Sequence, residues 1–221
     1  MADAAAAYLQ GLRARGHRVD TAGWARELDL LARGRNVDYS LPGLPLMYAI
    51  RYMPKRIIAL MGELSLAGVD SPPRSLFDVG VGTGAVPAAL RLLWPTARID
   101  IRGIDASSEM LEFAEASQRV AATPATFHVR TLDDLMADPG MLRDADLVTF
   151  SAPFNRSFTE WDRLAGGLAA HGRTVFASEP SSRFYLLDSL EAALQRSGWT
   201  TRRGVSESLP AMMREVRGEI G

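Results

Sequence analysis

Ser75-Leu-Phe-Asp-Val-Gly-Val-Gly-Thr-Gly-Ala-Val-Pro87 is the stretch whose reading decides the fold. A short apolar run, Leu76 to Val79, enters a loop with glycine at Gly80, Gly82 and Gly84, and a helix-compatible segment, Ala85 to Leu93, follows at once. A strand that turns sharply into a helix presents unpaired backbone N–H groups at the helix start. Glycine lets such a loop adopt positive φ and lets a ligand approach the backbone closely. The stretch therefore reads as the floor of a nucleotide-type pocket.

Outward toward the C-terminus, strand and helix signals alternate. Ala97 to Ile104 suits a second strand ending at Asp105, Ala125 to Val129 a third, Ala145 to Phe150 a fourth and Arg173 to Ala177 a fifth. Helical patterns over Ser107 to Arg119, Trp161 to Ala170 and Arg183 to Arg196 fall between and after them, and Trp199 to Ser206 suits a sixth strand. Such alternation predicts an α/β fold of Rossmann-like, doubly wound type, with a mostly parallel sheet and helices on both faces. In these sheets ligands bind beyond the carboxyl ends of the strands, near the switch in strand order. Asp78, Asp105, Asp133 and Ser151 all fall at or beyond such ends.

Toward the N-terminus the pattern is helical. Ala2 to Arg15, Ala22 to Arg33 (with Thr21 as N-cap), Leu46 to Met53 and Pro54 to Leu66 read as helices. A turn-rich loop, Asn36 to Pro45, separates the second pair from the first, and Ser71-Pro-Pro-Arg74 leads into the first strand. Residues 1–70 are expected to form a helical cap or lid and residues 71–221 the nucleotide-binding domain. The conformation of Leu209 to Ile220 is left open.

Composition narrows the function. The chain has 221 residues, 47% hydrophobic and 23% charged, which suits a globular protein. With no cysteine and three scattered histidines, His17, His128 and His171, no metal site is expected. A net charge of −1 gives no basic footprint, so no nucleic-acid partner is expected. No apolar run reaches the roughly 20 residues a membrane span needs, and the N-terminus lacks the basic region of a signal peptide. A cytoplasmic protein with a small-molecule substrate is the expectation, with a homodimer left open.

Two cofactors compete for the loop. Gly80-x-Gly82-x-x-Ala85, with Asp105 about 20 residues further on, satisfies a dinucleotide fingerprint and would suit an NAD(P)-dependent oxidoreductase. Asp78 speaks against it, because a pyrophosphate gains nothing from a carboxylate two residues before the first glycine. Asp78-Val-Gly-Val-Gly-Thr-Gly84 resembles motif I of class I S-adenosylmethionine-dependent methyltransferases, and Ile104-Asp-Ala-Ser-Ser-Glu-Met-Leu111 resembles their motif II. The resemblance covers roughly Ser75 to Trp199. It implies S-adenosyl-L-methionine as cofactor, with Gly80, Gly82 and Gly84 against its amino-acid tail and Asp78 attracting the ammonium. It also implies Asp105 on the ribose hydroxyls, Ala106 and Met110 flanking the adenine, and Thr131 and Leu132 as the contact after the third strand. Met110 also reads as a core residue, and Asp133 and Asp134 as a solvated helix start.

The reacting end is less marked. Phe150-Ser-Ala-Pro-Phe-Asn155 resembles the [Asp/Asn/Ser]-Pro-Pro-[Tyr/Phe] motif of amino-group methyltransferases, in which the aromatic stacks on the target nitrogen; Ala152 departs from it. Ser151 and Asn155 are placed to meet an acceptor, Ser151 also lying near the cofactor, whereas an ordinary turn capped by Asn155 is the plainer alternative. Glu179 with Arg183 forms a second candidate cluster for a substrate amino or carboxyl group, or a surface ion pair. Tyr39, with Tyr48 and Tyr52, marks a candidate lid whose tyrosines would orient a substrate or line the sulfonium with π surface, a cation–π contact; packing of Tyr48 and Tyr52, four apart, into the core is the plainer alternative. The expected activity is methyl transfer to an N or O nucleophile of a small molecule. The alternative keeps the cofactor and cyclises its amino-acid chain, releasing methylthioadenosine.

Overall fold

The computed structural model describes residues 2–18, 20–32, 37–154, 157–171, 174–179 and 184–202, with only the backbone of Leu31 and Ala32. Four helices come first: α1 (Ala2–Ala14), α2 (Thr21–Ala32), α3 (Leu44–Arg51) and α4 (Met53–Leu66). The joint between α3 and α4 falls at Tyr52, one residue earlier than the proline suggested. Pro54 sits in the first turn of α4, where its missing N–H would have no partner anyway.

Strand and helix then alternate: β1 (Ser75–Val79), α5 (Ala85–Leu93), β2 (Asp100–Asp105), α6 (Ser108–Val120), β3 (Ala125–Val129), α7 (Leu132–Ala137), a 3-10 turn (Pro139–Leu142), β4 (Leu147–Ser151), α8 (Trp161–His171), β5 (Val175–Ser178) and α9 (Phe184–Arg196). Among the described residues the sheet has five strands in the order β3-β2-β1-β4-β5, every pair parallel. Residues 199–202 form no strand, and the rest of the expected sixth strand, like Leu209 to Ile220, lies outside the described residues. The order reverses between β1 and β4, which is where a doubly wound sheet opens a ligand crevice.

Strand side chains alternate in direction with period two, and the two faces bury separate cores. Leu76, Ile101, Phe127, Leu147 and Phe176 meet α1, α3, α4, α5 and α6 on one face. Phe77, Val79, Ile104, Val148 and Phe150 meet α7, α8 and α9 on the other. Tyr8 and Leu12 of α1, Leu46 of α3 and Leu60 of α4 belong to the same cluster as Leu76 of β1. Trp24 and Leu28 of α2 form a smaller cluster with Leu44 of α3.

Candidate functional site

The period of two that sends Leu76, Ile101, Leu147 and Phe176 into one core also places Asp78, Asp105, Thr149, Ser151 and Ser178 on that face, at the carboxyl ends of their strands. Five polar side chains thus converge beside the α4–α6 layer, where the apolar pattern of each strand gives out. Asp78 is fully buried. Its Oδ1 accepts a hydrogen bond from Thr149 Oγ1 at 2.6 Å, whereas Oδ2 is buried with no hydrogen-bond partner. Burial, reinforced by Asp105, pushes the Asp78 carboxyl up to about 7, with the Thr149 hydrogen bond and Arg56 pulling the other way. An acceptor of this kind, aimed at nothing, is costly unless a ligand completes it.

The glycine loop arches over this carboxylate. Gly80 has φ 78°, and a Cβ there would meet Pro153 Cβ at 2.8 Å; only glycine suits both the turn and the close approach. Gly82 and Gly84 also have positive φ, and Gly84 is the N-cap of α5. The Gly82 N–H donates to Asp105 Oδ2 and the Ser107 N–H to Oδ1, each at 2.8 Å. Burial raises the Asp105 carboxyl and these two donors lower it, leaving it above its ordinary value. A carboxylate oxygen has about two acceptor sites, so both oxygens keep capacity for a further hydroxyl.

Beyond β2, Ala106 is exposed and Met110 is buried at 2%. Ser107 caps α6 by accepting from the Met110 N–H at 3.2 Å and donates to the Tyr39 carbonyl at 2.8 Å. Thr131 caps α7 in a reciprocal capping box with Asp134, and the Thr131 N–H holds the Asp134 carboxyl below its usual range. Asp134 is thus a helix-start residue. Leu132 packs against the second core, and Asp133 is exposed.

At the β4 end, Ser151 Oγ accepts from Arg56 Nε and Nη2 at 3.2 and 3.1 Å. Ala152 has φ 58°, uncommon for a residue with a side chain, and its N–H donates to the Ser178 carbonyl at 2.9 Å. Phe154 is 1% exposed and packs against Phe150, Phe158 and Trp161. The aromatic expected to stack on a target nitrogen is therefore a core residue, because an apolar cluster is available directly beneath the strand end. Asn155 and Arg183 lie outside the described residues. Glu179 is 4% exposed and accepts from the Phe154 N–H at 3.4 Å.

Tyr39, Tyr48 and Tyr52 form a ring series, with centroids 6.4 Å apart for the first pair and 5.4 Å for the second. Their loop is fastened by Trp24 Nε1 donating to the Pro42 carbonyl at 2.9 Å and by the Gly43 N–H donating to Tyr8 Oη at 3.1 Å. Through the Tyr39 carbonyl it also touches Ser107, two residues beyond Asp105, so this loop meets the β2 end of the crevice.

Arg56 and Glu63 did not emerge from the sequence as site residues. They stand two turns apart on α4, flanking the buried Ile57, Leu60 and Leu64. Charged residues bordering an apolar helix stripe are the signal that marks them, but only the fold shows that the stripe faces the strand ends. Two cavities elsewhere, one apolar and about 270 Å³ beside Phe113, the other about 230 Å³ beside Tyr8 and Arg15, are lined by none of the residues at the β1, β2, β4 or β5 ends.

The strand order and the crevice at its reversal define a doubly wound α/β protein. No protein-family model matches the chain. Among curated proteins it is 26% identical over 153 residues to the malonyl-[acyl-carrier protein] O-methyltransferase of Halalkalibacterium halodurans, covering 67% of this chain and 55% of that one. It is also 26% identical over 167 residues to a pentatricopeptide repeat-containing protein of Arabidopsis thaliana, covering 67% of this chain and 29% of that one. A parallel sheet is foreign to a stack of helical repeats, so the second similarity tells nothing about this site. The chain thus spans less than two thirds of the length of these curated relatives. Of solved structures, the N-terminal domain of EvdMO1 with SAH bound matches at a TM-score of 0.46 and 17% identity, over 62% of this chain and 70% of that one. The chain is thus similar in sequence to an O-methyltransferase over about two thirds of its own length.

Proposed function

We propose that the protein is an S-adenosylmethionine-dependent methyltransferase acting on an N or O nucleophile of a small molecule. The observation that carries this reading is Asp78, a buried carboxylate beneath the glycine loop with one oxygen lacking a hydrogen-bond partner. An ammonium group satisfies such an oxygen, as the amino-acid tail of S-adenosylmethionine would, whereas a pyrophosphate would be repelled. The EvdMO1 domain's structure has SAH bound, the demethylated form of that molecule, and the Halalkalibacterium relative's name is that of an O-methyltransferase.

When bound, the cofactor supplies a methyl group activated on a sulfonium. The chain's own residues then bind and orient. Asp78 takes the ammonium; the backbone at Gly80, Gly82 and Gly84 admits the tail; Asp105 accepts from the ribose hydroxyls. Ala106, Met110, Thr131 and Leu132 border the adenine. Ser151 and Glu179, with Asn155 beyond the described residues, and Tyr39 in the N-terminal loop orient the acceptor. Positioning in line and excluding water is most of what such a displacement needs.

Calorimetric titration with S-adenosylhomocysteine tests the reading. The full chain is expected to bind it, and Asp105→Ala to bind about 100-fold more weakly or worse, since two hydroxyls lose a charged acceptor. Unchanged binding by that variant would remove Asp105 from the site. Enhanced NADH fluorescence on adding the protein would instead favour a nicotinamide cofactor. Incubation with S-adenosylmethionine and no acceptor checks the reaction itself: methylthioadenosine formed over many turnovers would overturn methyl transfer.

A further inference from the structure

Arg56 leaves α4 and crosses to the carboxyl ends of β4 and β5. Its Nε and Nη2 donate to Ser151 Oγ at 3.2 and 3.1 Å, and Nη2 also donates to the Ser178 carbonyl at 3.4 Å. Its Nη1 lies 3.5 Å from Glu63 Oε2, and that same oxygen accepts from Ser178 Oγ at 2.6 Å. The side chains of Arg56 and Glu63 are only 21% and 20% exposed. A planar guanidinium with donors spread in a fixed fork can hold two strand ends at once; a lysine ammonium cannot reproduce that geometry.

The same guanidinium acts on Asp78. Ser151, Thr149 and Asp78 share one face of neighbouring strands, because β1 and β4 pair in parallel with Asp78 opposite Thr149. Asp78 is faced by Thr149 from β4, by the like charge of Asp105 from β2 and by the opposite charge of Arg56 from α4. Burial and Asp105 both favour a protonated Asp78, and Arg56 is the cation that opposes them. An ammonium ligand is held by the ionised form.

We propose that Arg56 is a positioning residue of the cofactor site, tying α4 to the ends of β4 and β5 and preparing the Asp78 carboxylate electrostatically for an ammonium group. The proposal rests on the S-adenosylmethionine reading above and adds a role that neither glycine loop nor strand end supplies. It also gives the N-terminal helices a part in capturing the cofactor, apart from any part in covering the acceptor.

The test is calorimetric binding of S-adenosylhomocysteine by the full chain, followed across pH on both sides of neutrality, with thermal unfolding of each variant as a check on the fold. Wild-type affinity is expected to rise with pH as Asp78 loses its proton. Arg56→Gln moves that rise upward by up to about one pH unit, Arg56 being the smallest of the four influences on Asp78, which weakens binding near neutrality by at most about tenfold. Arg56→Lys keeps the charge and leaves the midpoint near that of wild type. Arg56→Met, of similar length and without charge, is expected to move the midpoint upward likewise, and it serves if Arg56→Gln does not fold. A folded Arg56→Gln variant with lower thermal stability but an unmoved midpoint would reduce Arg56 to a strut and overturn the proposal, as would an unmoved midpoint in a folded Arg56→Met. Absence of binding by the wild type at every pH would instead overturn the cofactor reading, and the proposal with it.

Discussion

Asp78 sets folding against binding. Its carboxyl has an ordinary value of 3.8 and rises to about 7 in the fold, chiefly through burial. Below the unfolded value both states hold the proton and no cost arises. As pH climbs through the interval the unfolded chain loses its proton first, so stability falls, and the loss is complete above about 7. Acting alone, a gap of that size corresponds to about 4 kcal/mol. Asp78→Asn keeps an acceptor for Thr149 and removes the charge. In urea denaturation the variant is expected to match wild type at about pH 4 and exceed it by several kcal/mol at about pH 8, while losing affinity for S-adenosylhomocysteine. Taking the difference between the two proteins cancels the pH dependence of every other group. A carboxylate that destabilises its own fold is the trade-off expected of the proposed ligand site; equal stability of the two proteins at high pH would show that Asp78 is not buried as a charge.

The turns between elements hold backbone conformations that side chains resist. Gly80→Ala meets Pro153 Cβ at 2.8 Å and carries φ 78°, so a loss of about 1–3 kcal/mol is expected, with a matching loss of ligand binding as the loop shifts. Ala152 is the converse, an alanine at φ 58° that glycine would relax. Ala152→Gly is expected to raise the unfolding free energy measured in urea by up to about 1 kcal/mol; a fall would show that the Ala152 methyl is needed for packing. These elements were largely legible in the sequence. Apolar runs such as Leu147-Val-Thr-Phe150 can bury both faces only in a covered parallel sheet, and the glycines mark the turn. Boundaries moved by one to three residues, as at Asp100 and Leu147, because apolar patterning does not mark where ladder hydrogen bonds begin. What was not legible depends on distant partners. Arg56 meets a serine 95 residues away, and Glu63 one 115 residues away. Phe154 read as an aromatic at the acceptor edge because its spacing after Ser151 fits that motif, yet Phe150 and Trp161 claim its ring. The placement of Asp78 and Asp105 at strand ends was legible because each stands where an apolar strand pattern gives way to a carboxylate.

At the scale of the molecule, the N-terminal helices share the core of the sheet they cover. Leu60 and Leu64 of α4 and Tyr8 and Leu12 of α1 are buried in one cluster with Leu76, Ile101 and Leu147 of the strands. Tyr8 adds polar ties, donating from Oη to Glu109 at 2.8 Å and accepting from the Gly43 N–H at 3.1 Å. A fragment of residues 71–221 would therefore lose α1, α3 and α4 from one apolar face of the parallel sheet and keep only α5 and α6 on it, whereas such sheets need both faces covered. It would also lose Arg56 from the crevice. The fragment is expected to precipitate or to keep helical far-ultraviolet signal without the near-ultraviolet signal of fixed aromatic packing, and to bind no S-adenosylhomocysteine. The full chain, by contrast, is expected to show coincident denaturation curves by tryptophan fluorescence and far-ultraviolet dichroism. Trp24 in α2 and Trp161 in α8 lie in different clusters, so fluorescence samples both the helical layer and the far side of the sheet. Two separate transitions, with a folded 71–221 fragment that still binds, would make residues 1–70 an independent lid docked on a self-sufficient domain. A single transition would mean that cap and cofactor site fold together, so that the residue preparing Asp78 is in place whenever the glycine loop is.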